Sequence, residues 1–161
     1  MFCFCFTLFS NRVSKLTLFV AAVALVVIAP AQLRAQRSEP EPAFSDFKGV
    51  RIGMTSDESR KKLGNPRDKG DDQDFYVFND TQAVQIFYDK AAKVSAISID
   101  YMTGASGIPS PKDVLGTEAD KKPDGSVYKL VRYPKAGYWV SYSRTAGDSP
   151  TITVTMQKIE H

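Results

Sequence analysis

Most catalysis near neutral pH starts from a histidine, a thiolate or a pair of carboxylates. In this 161-residue chain the one histidine is His161, the last residue, and the two cysteines, Cys3 and Cys5, stand at the opposite end. A Ser-His or Cys-His pair needs an imidazole held within hydrogen-bond reach of the nucleophile, and chain ends are poorly ordered unless tied down. Carboxylates remain, since Asp and Glu can act as acid and base. Their densest group is "DKGDDQD", residues 68–74. Calcium takes oxygens at alternating positions and a later bidentate Glu. That order is missing, so the run reads as an acidic solvated turn. Asn79-Asp80-Thr81 matches a glycosylation acceptor but falls where a hairpin turn is expected. Gly-rich phosphate loops do not occur. The expectation is a protein that is not an enzyme, with no catalytic residues, no cofactor and no metal.

The N-terminus points to export. Arg12 and Lys15 precede an unbroken apolar run, "LTLFVAAVALVVI", which is followed by Ala29-Pro30-Ala31. That is the order of a secretory leader, and the run falls short of the ~20 apolar residues of a membrane-spanning helix. Cleavage is expected after Ala31 or Ala35, making residues 1–35 a signal peptide; the alternative is an uncleaved N-terminal membrane anchor. Either cut removes both cysteines, so the processed chain has no disulfide, and it offers no N-terminal Cys for a lipid. Three of the 21 basic residues (Arg12, Lys15, Arg34) and none of the 18 acidic ones precede Gln36. The remainder is balanced in charge, which argues against nucleic acid as a partner. The expected location is periplasmic or secreted, with no integral membrane span after processing.

Residues 36–46, with two Glu-Pro steps, read as a polar linker, and 47–161 as one domain. "TSDESRKKLGNP" predicts a short helix: Thr55 and Glu58 form a capping box, Gly64 can end it, and Pro66 bars continuation. "SPKDVLG" predicts a second, capped by Ser110. Leu63-Gly64, Asp68-Lys69, Asp72 and Tyr76 each recur fifty-two positions later, at Leu115-Gly116, Asp120-Lys121, Asp124 and Tyr128. Such a period marks a duplicated unit, with halves about 48–103 and 108–159. Runs rich in Val, Ile, Tyr and Thr predict strands near 74–79, 83–89, 93–101, 126–133, 137–143 and 150–158. The expected fold class is α+β: two tandem helix-plus-three-strand units forming a mostly antiparallel sheet with short helices on one face.

Gly53-Met54-Thr55, Glu58, Leu63-Gly64 and Pro66 resemble the opening motif of the SmpA/OmlA (BamE) outer-membrane assembly family. That family shares its helix–sheet unit with the β-lactamase inhibitor protein, which contains the unit twice. Ser59 departs from the pattern, since family members usually place an apolar residue there. The lipid-bearing Cys and the inhibitors' disulfides are also missing. The resemblance implies a helix packed on the back of a sheet through Met54 and Leu63. It also implies a cell-envelope module whose exposed sheet face binds another envelope or secreted protein. A small-ligand carrier, and an enzyme using carboxylates, are the alternative readings.

Strand side chains alternate between faces. One parity collects Tyr76, Phe78, Val84, Ile86, Tyr88, Ile97, Ile99 and Tyr101, then Tyr128, Leu130, Tyr138, Val140, Tyr142, Ile152, Val154 and Met156. This set is expected to be the core. The other parity is mixed: Gln85, Ser95, Ser98, Lys129, Ser141, Thr151, Thr153 and Thr155 are polar, and among them stand Phe75, Phe87, Val131 and Trp139. These four are the candidate binding residues, because aromatic anchors amid polar groups typify interface hot spots.

Overall fold

Alternating apolar residues separated by Asn-Asp, Gly and Pro turns give long antiparallel strands joined by hairpins. The computed structural model describes residues 41–160. The signal-peptide and cleavage-site expectations, the linker before Glu41 and His161 lie outside the described residues. Helix α1 (Ser56–Leu63) comes first, followed by strands β1 (Asp68–Lys69), β2 (Gln73–Asn79), β3 (Gln82–Tyr88) and β4 (Val94–Tyr101). Helix α2 (Pro111–Leu115) then leads into β5 (Asp120–Lys121), β6 (Val127–Tyr133), β7 (Tyr138–Arg144) and β8 (Ile152–Lys158).

All eight strands form one sheet in the order β1-β2-β3-β4-β8-β7-β6-β5. Each neighbouring pair is antiparallel. This overturns the expected fold class. The helices are only eight and five residues long, and the fold is predominantly β. Nor are there two helix-plus-three-strand units standing side by side. The β4–β8 seam carries an uninterrupted ladder, with Ile97 opposite Met156 and Ile99 opposite Val154, so the hydrogen bonding and the core run straight through the middle. Two further strands, β1 and β5, cap the edges. They are the repeated Asp-Lys pairs, fifty-two residues apart, and they carry no apolar pattern to announce a strand.

One sheet face is covered. Phe47, Val50, Val114 and Leu115 are buried against it, and Phe44, Ile52, Met54 and Leu63 pack at the margin of the same cluster. Most of the expected core parity lies beneath them, including Val84, Ile86, Ile97, Ile99, Val140, Val154 and Met156, all at 0% exposure. Strand β6 is the exception. Tyr128 and Leu130, expected in the core, are 46% and 36% exposed. In the first half Asp68 pairs with Phe75; in the second Asp120 pairs with Tyr128. The connection to β6 is one residue longer, so Tyr128 takes the place of Phe75 and not of Tyr76. A one-residue shift turns every side chain of a strand to the other face. Val127, Val131 and Tyr133 therefore face the core instead.

Both helices begin with a capping box. In α1 the Glu58 N–H donates to Thr55 Oγ1 (3.3 Å) and the Thr55 N–H donates to Glu58 Oε2 (2.9 Å). Ser110 and Asp113 repeat the arrangement in α2. Gly64 ends α1 with φ of 85°, a backbone setting that a side chain would strain.

Candidate functional site: the uncovered sheet face

The second face of the sheet carries neither helix. Cross-strand register fixes which residues share it. One row runs Phe75, Gln85, Ser98, Thr155, Ser141, Leu130. A second runs Gln73, Phe87, Ala96, Gln157, Trp139, Arg132, and a third Val77, Ala83, Asp100, Thr153, Ser143, Tyr128. The floor is low and polar on the central strands β4 and β8, where the Ser98 and Thr155 hydroxyls lie 3.3 Å apart. Larger side chains rise toward both sides: Phe75, Val77 and Phe87 on one, Leu130, Tyr128 and Trp139 on the other. A depression of about 530 Å³ opens on this face, lined by Gln85, Phe87, Ser95, Ala96, Ser98, Thr155 and Gln157 together with Asp72 and Tyr88. It is wide open to solvent.

Three of the four expected binding residues thus share this face: Phe75, Phe87 and Trp139, each half-buried. Phe87 and Trp139 occupy one row, three strand spacings or about 14 Å apart. Val131 does not join them. It lies on the covered face, packed against the core, for the register reason given above. The same shift supplies two residues the sequence reading missed, Tyr128 and Leu130. The signal for them was the segment enclosed by the last edge pair, "KPDGS" between Lys121 and Val127, one residue longer than "GDDQ" between Lys69 and Asp74.

Asp74, the end of the acidic run, points to the covered face. Its side chain is fully buried. Arg60 donates to it from Nε (2.8 Å) and Nη2 (3.0 Å), Tyr88 from its hydroxyl (2.7 Å), and Gly70 from its N–H (3.3 Å). Ser59 Oγ lies 2.8 Å from the Tyr88 hydroxyl. Burial pushes the Asp74 carboxyl up, but the bonds from Arg60 and Tyr88 and the Arg60 charge outweigh it, leaving it below the ordinary carboxylate range. Burial raises the Tyr88 hydroxyl further above its usual value. A carboxylate so fully engaged has no lone pair directed at a substrate, and a tyrosine so shifted does not ionise near neutrality. The cluster fastens α1 to the sheet. Among the described residues no three His, Cys, Asp or Glu side chains converge as metal ligands do.

Set against protein-family models, curated proteins and solved structures, the chain matches none. Among the described residues no helix is long and apolar enough to cross a membrane.

Proposed function

We propose that this chain is a non-enzymatic cell-envelope module that binds another envelope or secreted protein, as an assembly factor or an inhibitor would. The observation that carries the reading is the uncovered sheet face, with aromatic side chains on both flanks of a polar floor. The six central strands span about 24 by 23 Å, or ~550 Å² before side-chain relief is counted. A standard interface takes about 800 Å² from each partner, so the face suits a protein surface. The openness of the depression argues against the carrier alternative, since ligand pockets enclose most of their ligand. The SmpA/OmlA-like motif supports an envelope role but rests on a handful of residues around α1. The leader-like N-terminus supports the same compartment.

The test is a crosslinking pull-down from the native envelope, with wild type and with Phe87→Ala and Trp139→Ala. Both variants are expected to fold with nearly unchanged urea midpoints and to lose the captured partner, at a cost of about 2 kcal/mol or more in affinity. Undiminished capture by both would refute the assignment of the face.

A further inference from the structure

We propose that Asp100 is the specificity anchor of this face and takes an arginine or lysine from a convex, apolar element of the partner protein. The inference rests on the protein-binding reading above. On the four central strands, Asp100 is the one charged residue whose register position falls on the uncovered face. Every other position there is apolar, hydroxyl or amide. Asp100 is half-buried, and its Oδ1 accepts one hydrogen bond, 2.7 Å, from the Thr153 hydroxyl. Among the described residues no Lys or Arg stands within ion-pairing distance of it. Its neighbour across the ladder on β3 is Ala83, which has no reach to shield it.

A half-buried carboxylate without a counter-ion has lost part of its hydration and gained no partner charge. Toward the edges of this face the charge is mixed, with Asp68 and Asp120 on the outermost strands and Arg132 on β6 beside Trp139, so the unpaired charge nearest the centre of the floor is that of Asp100. Shape excludes a second copy of this chain as the occupant, because two low floors with raised flanks cannot fill one another. A convex element can. Its apolar side chains would meet Phe87 and Trp139, while a guanidinium or ammonium would meet the free Asp100 oxygen. Such a charge-assisted bond is worth more than a neutral one, and a partner lacking the cation would leave Asp100 desolvated and unpaired.

Random cyclic peptides displayed on phage, selected against the immobilised full chain, test this directly. The expected winners carry Arg or Lys beside an aromatic or aliphatic residue. A synthetic winner should bind Asp100→Asn about tenfold or more weakly. Its affinity for wild type should fall with added salt, and its affinity for the variant should not. Asp100→Ser serves the same purpose should the amide disturb the Thr153 contact. Winners that need Phe87 and Trp139 but show no basic residue, or bind Asp100→Asn unchanged, overturn the anchor and leave the binding face standing. Winners indifferent to Phe87→Ala and Trp139→Ala overturn the face itself, and an empty selection counts against both.

Discussion

The two helices lie against the same sheet face and are held there by opposite means. Helix α2 is fastened by apolar contact. Val114 and Leu115 are buried, and the Tyr133 hydroxyl donates to the Leu115 carbonyl at 3.2 Å. Helix α1 has one fully buried residue, and it is Ser59. Its grip is the chain Ser59–Tyr88–Asp74–Arg60. Residue by residue α1 reads as a solvated helix, yet its attachment is the more specific of the two. An apolar pair tolerates sliding. A carboxylate that collects two bonds from Arg60, one from Tyr88 and one from Gly70 fixes angle and distance together. It also ties the loop before β2 to the helix, since Arg60 Nη2 donates to the Gly70 carbonyl at 2.8 Å.

The contrast breaks most visibly at Asp74. Asp74→Ala leaves Arg60 and the Tyr88 hydroxyl without their acceptor, and should destabilise by about 3–5 kcal/mol, as removal of one partner of a buried pair does. Leu115→Ala removes only apolar contact and should cost less, in the lower half of the roughly 2–5 kcal/mol range for such truncations. Urea unfolding monitored at the single Trp139 gives both values. A smaller loss for Asp74→Ala than for Leu115→Ala would mean that the polar chain is incidental.

Acid sharpens the same comparison. The folded-state pKa of Asp74 is lowered from 3.8. Its contribution is therefore complete above about that pH and is lost as pH falls through the lower, folded value. In α2 the bonds with Ser110 also hold the Asp113 carboxyl below its usual value, but Asp113 is exposed and takes no part in fastening that helix to the sheet. The double variant Arg60→Met/Asp74→Leu replaces the pair with apolar residues, a change that is often neutral or stabilising. Its urea midpoint should fall less than that of wild type between pH 4 and pH 2. Parallel curves would show that acid acts through other carboxylates.

These contrasts also show what was legible in the residues. Strand positions were, because Val, Ile and Tyr alternate over seven or eight residues and the turns carry Gly, Asn or Pro. Both caps were, because a capping box is a local pattern. The fold class was not: the short helices are conspicuous for their punctuation, while the Asp-Lys edge strands β1 and β5 are silent. The face of β6 was lost to one extra loop residue. That error moved Val131 into the proposed site and left Tyr128 and Leu130 out. The polar fastening of α1 joins residues 14 and 29 positions apart, beyond any local pattern. Two signs pointed to it: Asp74 stands on the core parity of β2, and Ser59 stands where the motif expects an apolar residue. Asp100 gave no sign, since on a polar parity one carboxylate looks ordinary until the register shows that its neighbours are all uncharged.

The smallest expected effect lies beside the polar chain. Tyr76 is 3% exposed, and its hydroxyl is the buried side-chain polar atom left without a hydrogen-bond partner among the described residues. Burial, with the nearby Asp74 charge adding to it, pushes the hydroxyl up to about 12, so it stays protonated and a donor. A buried donor without an acceptor costs free energy that a hydrogen atom in its place would not. The ring itself is well used, stacked on Phe78 at 6.1 Å between centroids. Tyr76→Phe keeps that packing and removes the orphan, so it should leave stability unchanged or raise it by up to about 1 kcal/mol. Tyr88→Phe, on the neighbouring strand β3 and the same face, should do the reverse, because that hydroxyl bridges Ser59 and Asp74. If Tyr76→Phe destabilises as Tyr88→Phe does, the Tyr76 hydroxyl has found a bridging water to Asp74, and the polar fastening of α1 extends one residue further than the contacts around Asp74 now define.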